Sequence, residues 1–427
     1  MIVSERAYRY NYNLWLIVIA VTLLFRVPAT YLLILFTAYN LIFYKQFLFT
    51  KKHLLVTGLI ASPFLLDLLF IGNNDSILEG FKHAEKRISL LVLPLLILNQ
   101  NHHINAPLIL RMYGVITTLI LGFCLVRFAF VSPELFMKYL HGKDLWEMGY
   151  KFANSIGKHA PALNLHVAFV VVINYYFIKE GIGKLKRNLL FRRIAIFILS
   201  ILILFYINTR LAIINAFFGI VLITFYKENG FLKFRNYRKT FLGIGLFLTL
   251  AVAFIAVFPY SIQKFTTVTF GHLDKVGKLD ELENPEQTVF NGLVTRLSIW
   301  KSGIELASKN SIIGVGAADG KKELTSYFKE TNQNFLHKYE FPVHNQYLDF
   351  FIKFGLLGLL VSLLYVSLFA YIGITSKQIL CIYFFILFAT SNFVDDFLIR
   401  FDGIVFSSLW LSIFTKNAID NQKNKLR

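Results

Sequence analysis

Charge is scarce in this chain of 427 residues: 16% are Asp, Glu, Lys or Arg, against 56% hydrophobic. Soluble domains carry about 25% charged residues, so the deficit excludes an ordinary water-soluble globule. Cysteine is scarcer, and Cys124 and Cys381 both fall inside apolar runs, which excludes a disulfide framework or a cysteine metal site. Acidic residues number 25 against 44 Lys and Arg, giving a formal net charge of +19. That excess invites a nucleic-acid partner, and its placement argues against one. The basic residues cluster in short gaps between apolar runs, at 45–52, 184–193, 227–239 and 423–427. Internal repeats and low-complexity tracts are absent. No cleavable signal peptide is expected, because the first apolar run leads through "RVPAT" into a second, as a helical hairpin would.

What is present is one apolar run after another, with a mean hydropathy of +0.58. The pattern predicts an all-α polytopic membrane protein of about twelve transmembrane helices. They fall at roughly 13–26, 29–44, 53–71, 87–99, 107–130, 160–178, 191–207, 210–226, 240–258, 345–371, 378–392 and 402–416. An even count puts both termini on one side, and the basic gaps then mark that side as cytoplasmic. Residues 1–258 would hold the first nine helices, 259–345 one large helical periplasmic loop, and 346–427 the last three helices and a cytoplasmic tail, all in one integrated domain. The outer face would also receive 72–86, 131–159 and the short turn 207–210. Within the large loop, Leu293, Leu297, Trp300, Ile304 and Ala307 recur at helical spacing, which suits an amphipathic helix at the membrane interface with Trp300 as anchor.

Three residues near that outer face carry the chemistry most readily. Arg210 opens a span after a tight turn, where an arginine either binds a ligand or snorkels to the headgroups. Arg296 lies on the loop helix and, taken alone, reads as a solvated charge. His344, with Asn345 beside it, ends the loop one or two residues before a span. Together they make a set: two guanidiniums offer paired donors to phosphate oxygens, and one imidazole can take a hydroxyl proton. Displacing a lipid diphosphate from a sugar needs those parts. Arg87 could supplement the arginine pair, and His159 with His166 could line one cavity. Asp395 and Asp396 read as a solvated loop pair, the alternative being that they orient a base or bind a sugar. No acidic metal cluster is evident in the outer loops.

"TRLSIWKSGIELASKNSIIGVGAAD" (295–319) and "HNQYLDFFIKFGLLGLL" (344–360) resemble the signature region of the O-antigen ligase family, which includes related O-antigen polymerases. The span count, the loop before the last three spans and "NTR" heading a span fit the same pattern. The resemblance implies a GT-C-like membrane glycosyltransferase that uses an undecaprenyl-diphosphate-linked glycan as donor. It further implies that Arg210 and Arg296 bind the diphosphate and that His344 is the catalytic base. Transfer would be inverting, with no metal and no cofactor. The expected partners are that donor, a lipid A–core or glycan acceptor and membrane lipids, in the bacterial inner membrane with the site facing the periplasm. The leading reading is a ligase that transfers the glycan to a hydroxyl of lipid A–core; the alternative is a polymerase of the same superfamily, and a lipid-linked glycan transporter ranks third. Two departures stand out: Asn310-Ser311 where Asn-Pro is usual, and His159-Ala-Pro-Ala where His-Pro-x-Tyr is usual, which puts a role for His159 in question.

Overall fold

The computed structural model describes residues 5–141, 148–226, 237–257, 270–290 and 292–425. The basic stretch 227–236 and the start of the long polar segment, 258–269, lie outside the described residues. Among those described, every regular element is helical, apart from an isolated bridge between Phe47 and Gln100.

The order is α1 (Glu5–Thr22), α2 (Arg26–Ile42), α3 (Lys51–Ile60), α4 (Ser62–Leu69), α5 (Ile77–Glu85), α6 (Ser89–Leu98), α7 (Ala106–Val131), α8 (Pro133–Leu140), α9 (Met148–Ser155) and α10 (Ala160–Gly181). Next come α11 (Arg187–Ile207), α12 (Arg210–Phe225) and α13 (Tyr237–Val257). The polar segment supplies α14 (Pro285–Thr288), α15 (Leu293–Lys309), α16 (Gly320–Glu330) and α17 (Asn334–Lys338). The chain then runs through α18 (Gln346–Thr375), α19 (Ile379–Val394) and α20 (Phe401–Lys425).

Each expected apolar run lies on one or two of these helices. Four of them, α7, α10, α11 and α18, are individually long and apolar enough to cross a membrane. A fifth crossing is available if α3 and α4, bent by 72° across Ala61, count as one. The chain is a helical membrane protein with at least four candidate spans among the described residues, and shorter apolar helices, α2, α12 and α19 among them, accompany these. Helix α10 runs through the middle: 78% of its most apolar stretch is buried, so it is apolar all round for packing, not for lipid.

The connections gather at two ends. At one end, Lys158 before α10 donates to Leu23 O and pairs with Asp402, while Arg26 lies 5.8 Å over the Phe401 ring. At the other, Leu48 N–H donates to Asn99 O (2.7 Å) and the Tyr8 hydroxyl to Gln100 Oε1 (3.0 Å). The Lys416 ammonium reaches Gln100 O there at 2.6 Å.

The polar segment has its own apolar core, in which Val294, Ile299, Leu306, Leu324, Phe328 and Phe335 are buried. Helix α15 packs into that core through one side and leaves Leu293, Leu297 and Ile304 less covered, with Ile304 exposed. Trp300 does more than anchor: its Nε1 donates to Val343 O (3.1 Å) and its ring meets Phe393 edge-on at 5.2 Å.

A backbone junction fixes this unit to the bundle. Helix α18 breaks at Gly355 (φ 62, ψ −154), a conformation open to glycine alone. In an unbroken helix the carbonyls of Ile352 and Lys353 would accept from residues 356 and 357. They accept instead from Val315 N–H (2.9 Å) and Gly316 N–H (3.0 Å), and the freed Leu356 N–H donates to Ser311 O (2.8 Å). The approach is closed to side chains. A Cβ on Gly314 would stand 2.3 Å from the Lys353 carbonyl carbon, and one on Gly355 would stand 2.4 Å from Ile312 O. The glycine turn and the glycine in the span are the two halves of one joint.

Candidate active site

Helix α18 starts where it does because Asn345 caps it, accepting from the backbone N–H groups of Tyr347 (3.0 Å) and Leu348 (3.1 Å). His344 precedes the cap with φ 51, a left-handed turn that sets where the imidazole leaves the chain. Its Nδ1 lies 3.4 Å from Asp395 Oδ1, and its side chain is 27% exposed where that of Asp395 is 7%. A carboxylate on Nδ1 favours the tautomer with the proton there, which leaves Nε2 as the acceptor.

Asp395 and Asp396 follow the last residue of α19, at the negative end of the helix dipole, where carboxylates are disfavoured unless compensated. Compensation is at hand. Asp396 N–H donates to Asp395 Oδ1 (2.9 Å), and Arg400 Nη2 stands 3.9 Å from Asp395 and 3.5 Å from Asp396. Both aspartates are buried, so the solvated loop pair expected from sequence is corrected. Burial by itself would raise the Asp395 carboxyl, but hydrogen bonds from His344 and Asp396 and the Arg400 charge outweigh it and hold the group below the ordinary carboxylate range. Burial and the adjoining Asp395 charge push Asp396 the other way, upward.

One atom each from His344, Asp395 and Asp396 lies within 4.8 Å of the others, the only such group among the described residues. The expectation that no acidic cluster forms on this face is corrected to that extent. The set has the donor chemistry of a divalent-cation site, and Arg400 sets a fixed positive charge against the same carboxylates.

The arginine pair converges on this place. Arg296, on α15, donates through Nη1 to Val394 O, the residue before Asp395. Trp300, one turn along α15, holds Val343, the residue before His344, so one helix steadies both sides of the His–Asp contact. Arg210 begins α12 after a two-residue turn in which Asn208 takes a left-handed conformation (φ 50). Its guanidinium lies within electrostatic reach of Arg296 and of Tyr150.

His159 joins the group despite its atypical surroundings. Arg400 Nη1 is 2.9 Å from its Nε2, and the charges of Asp395 and His344 reach it. Burial, then the Arg400 charge, hold this imidazole below its ordinary value. His166 lies deeper, bonded at 2.9 Å to the Tyr113 hydroxyl. Arg87 does not supplement the arginine pair. It is completely buried, donates from Nη1 to Asp67 (2.7 Å) and from Nε to Leu398 O (2.7 Å), and lies 4.6 Å over the Phe350 ring.

Arg400 and the burial of its aspartates escape a reading of the sequence. The signal was available: two carboxylates at a helix C-terminus require cations that the intervening sequence supplies only at Arg400.

Residues 195–363 match the family model described as O-antigen ligase. Over that segment, about two fifths of its length, the chain is similar to the O-antigen ligase family. No curated protein matches it significantly. The matched segment contains Arg210, Arg296, the Gly314–Gly355 joint and His344, whereas His159, Asp395, Asp396 and Arg400 lie outside it. That match supports a membrane enzyme of the O-antigen ligase or polymerase type, glycosyltransferase-like in class.

Proposed function

We propose that this protein transfers a glycan from undecaprenyl diphosphate to a hydroxyl of lipid A–core, with inversion. The observation that carries the reading is the pairing of His344 with Asp395 beside Arg296 and Arg210. The acceptor O–H gives its proton to His344 Nε2 as its oxygen bonds to the anomeric carbon. The anomeric C–O bond breaks in the same step, and the diphosphate leaves with the electron pair. Asp395 holds the imidazole and stabilises the imidazolium; such a base contributes about 10²–10⁴-fold. Two guanidiniums within electrostatic reach repel one another, a cost relieved when a diphosphate sits between them, and their fork matches its oxygens. Stabilising that leaving charge away from bulk water is the larger contribution.

The end of the bundle that bears the site is assigned to the periplasm of a bacterial inner membrane. Lys51, Lys52, Lys184, Lys186 and Arg187 support this, since they open α3 and lead into α11 away from the site, and the positive-inside rule puts them, with both termini, in the cytoplasm. Polymerisation of repeat units uses the same residues with another acceptor. The deciding experiment is the glycolipid profile of a cell lacking the protein. Full-length polymer stranded on undecaprenyl, with bare lipid A–core, establishes the ligase. Single repeat units on lipid A–core establish the polymerase, and unchanged products on both carriers overturn both.

A further inference from the structure

The loop 395–400 carries Asp395, Asp396 and Arg400, yet it has no regular structure beyond a single 3-10 turn at Phe397–Ile399. Something must hold it against His344. The main-chain polar groups of Leu398 show what does. Its N–H donates to Gln346 Oε1 at 2.5 Å, and its carbonyl accepts from Arg87 Nε at 2.7 Å. Both partners are fully buried. Gln346 is the first residue of α18, two positions after His344, so the residue that bonds the aspartate loop stands on the element that aims the imidazole. Arg87 arrives from a distant part of the chain, braced by Asp67 and by the Phe350 ring, which sits one turn along α18 from Gln346. Gln346 spends only its oxygen here, because Nε2 has no partner. A buried glutamine that leaves its amide unused is costly to keep unless the oxygen matters.

We propose that Arg87 and Gln346 form a two-handed clamp on the Leu398 peptide that keeps Asp395 in register with His344, making them positioning residues for the base. The proposal rests on the function given above for its kinetic consequence alone; the geometric consequence stands apart from it. Losing either hand frees the loop, and Asp395 drifts from Nδ1. The imidazole is then uncovered and its orientation lost, while the arginines that meet the diphosphate stay where α12 and α15 put them.

The test uses purified full-length protein in lipid nanodiscs and two readouts. The first is the rate of His344 carbethoxylation by diethyl pyrocarbonate, followed by peptide mass spectrometry, with His102 at the opposite end as internal control. The second is glycan transfer. In Gln346→Met the acceptor is gone, and His344 should label at least threefold faster with His102 unchanged. Transfer should lose about tenfold in kcat with the KM for donor unaltered. Gln346→Glu keeps an oxygen at the same position and should restore both readouts. Should Gln346→Met fail to accumulate, Arg87→Lys keeps the charge opposite Asp67 but loses the Nε donor, and the same acceleration is expected. His344 labelling at the wild-type rate in these variants overturns the clamp, whatever the transfer assay shows. Faster labelling in a protein whose wild type transfers no glycan upholds the clamp and overturns the proposed function.

Discussion

Among the described residues two Asp–His–Arg sets lie near the same end, one closed and one partly open to the outside. In the first, Asp67 contacts His83 Nδ1 at 3.2 Å and Arg87 Nη1 at 2.7 Å; the aspartate and arginine side chains are 0% exposed and the histidine 11%. In the second, Asp395 contacts His344 at 3.4 Å and Arg400 at 3.9 Å, with the histidine 27% and the arginine 31% exposed. Residue types and order of contact are the same. The closed set spends its cation inward, on a main-chain carbonyl and an aromatic face, whereas the open set leaves its imidazole and its guanidinium partly exposed. Function here follows from which atoms stay available, not from which residues meet.

The largest effects should fall on opposite observables. Replacing His344 with Ala removes the proton acceptor and should cut glycan transfer by about 10²–10⁴-fold while the melting temperature hardly moves. If His83→Ala gave the same loss of transfer in fully folded protein, the division between the two sets would collapse. Arg87→Met should fall first on stability, with the loss of transfer expected of the clamp behind it: an aspartate is left buried without its cation, costing roughly 3–5 kcal/mol, seen as a large drop in Tm and in folded yield. A Tm within a degree or two of wild type would show that Asp67 is not committed to Arg87.

A smaller effect separates the sets by pH. Burial and then the Arg87 charge push the His83 imidazole down to about 4, from near 6.5 when unfolded. Between those values the unfolded chain binds a proton that the folded protein refuses, so stability falls as pH drops from about 6.5 toward 4. The loss is at most roughly 3 kcal/mol, at 1.36 kcal/mol per unit of pKa. His83→Gln, which keeps a polar side chain and cannot titrate, should flatten the Tm profile over that window. An unchanged profile would place the acid sensitivity elsewhere.

The helices are legible in the sequence because each apolar run is long and its ends are marked: Thr50, Asn105 and Asn345 cap, and Pro63 and Pro107 sit in first turns. His344, Arg210 and Arg296 are legible because charge beside a membrane span is conspicuous. The Gly314–Gly355 joint is not, since main-chain hydrogen bonds between residues some forty apart leave only glycines behind. The closed set is illegible for a related reason: Asp67 lies mid-run and Arg87 opens the next apolar stretch, and nothing local says that they pair. Asp395 and Asp396 mislead outright, because two acids in a short connection read as solvated until their neighbours are known.

Those two aspartates supply the smallest and most discriminating contrast. Adjacent buried carboxylates cannot both ionise at ordinary cost, so the pair divides its charge by environment. Asp395 receives the His344 contact and the Asp396 N–H, and its carboxyl is held low; Asp396 is the more buried, lies against that charge and is held high. On the proposed mechanism the member held low orients His344, and its neighbour is held toward the protonated form. Asp395→Asn therefore removes a charge that matters, and roughly tenfold of transfer should go with it, about 1.4 kcal/mol. Asp396→Asn exchanges one neutral group for another of the same shape, so transfer should stay within about threefold of wild type. The comparison is internal to one loop and shares one clamp, so a folding defect would strike both variants alike. Equal losses in both would mean that the charge is shared across the pair, and His344 would then face a carboxylate dyad instead of a single partner.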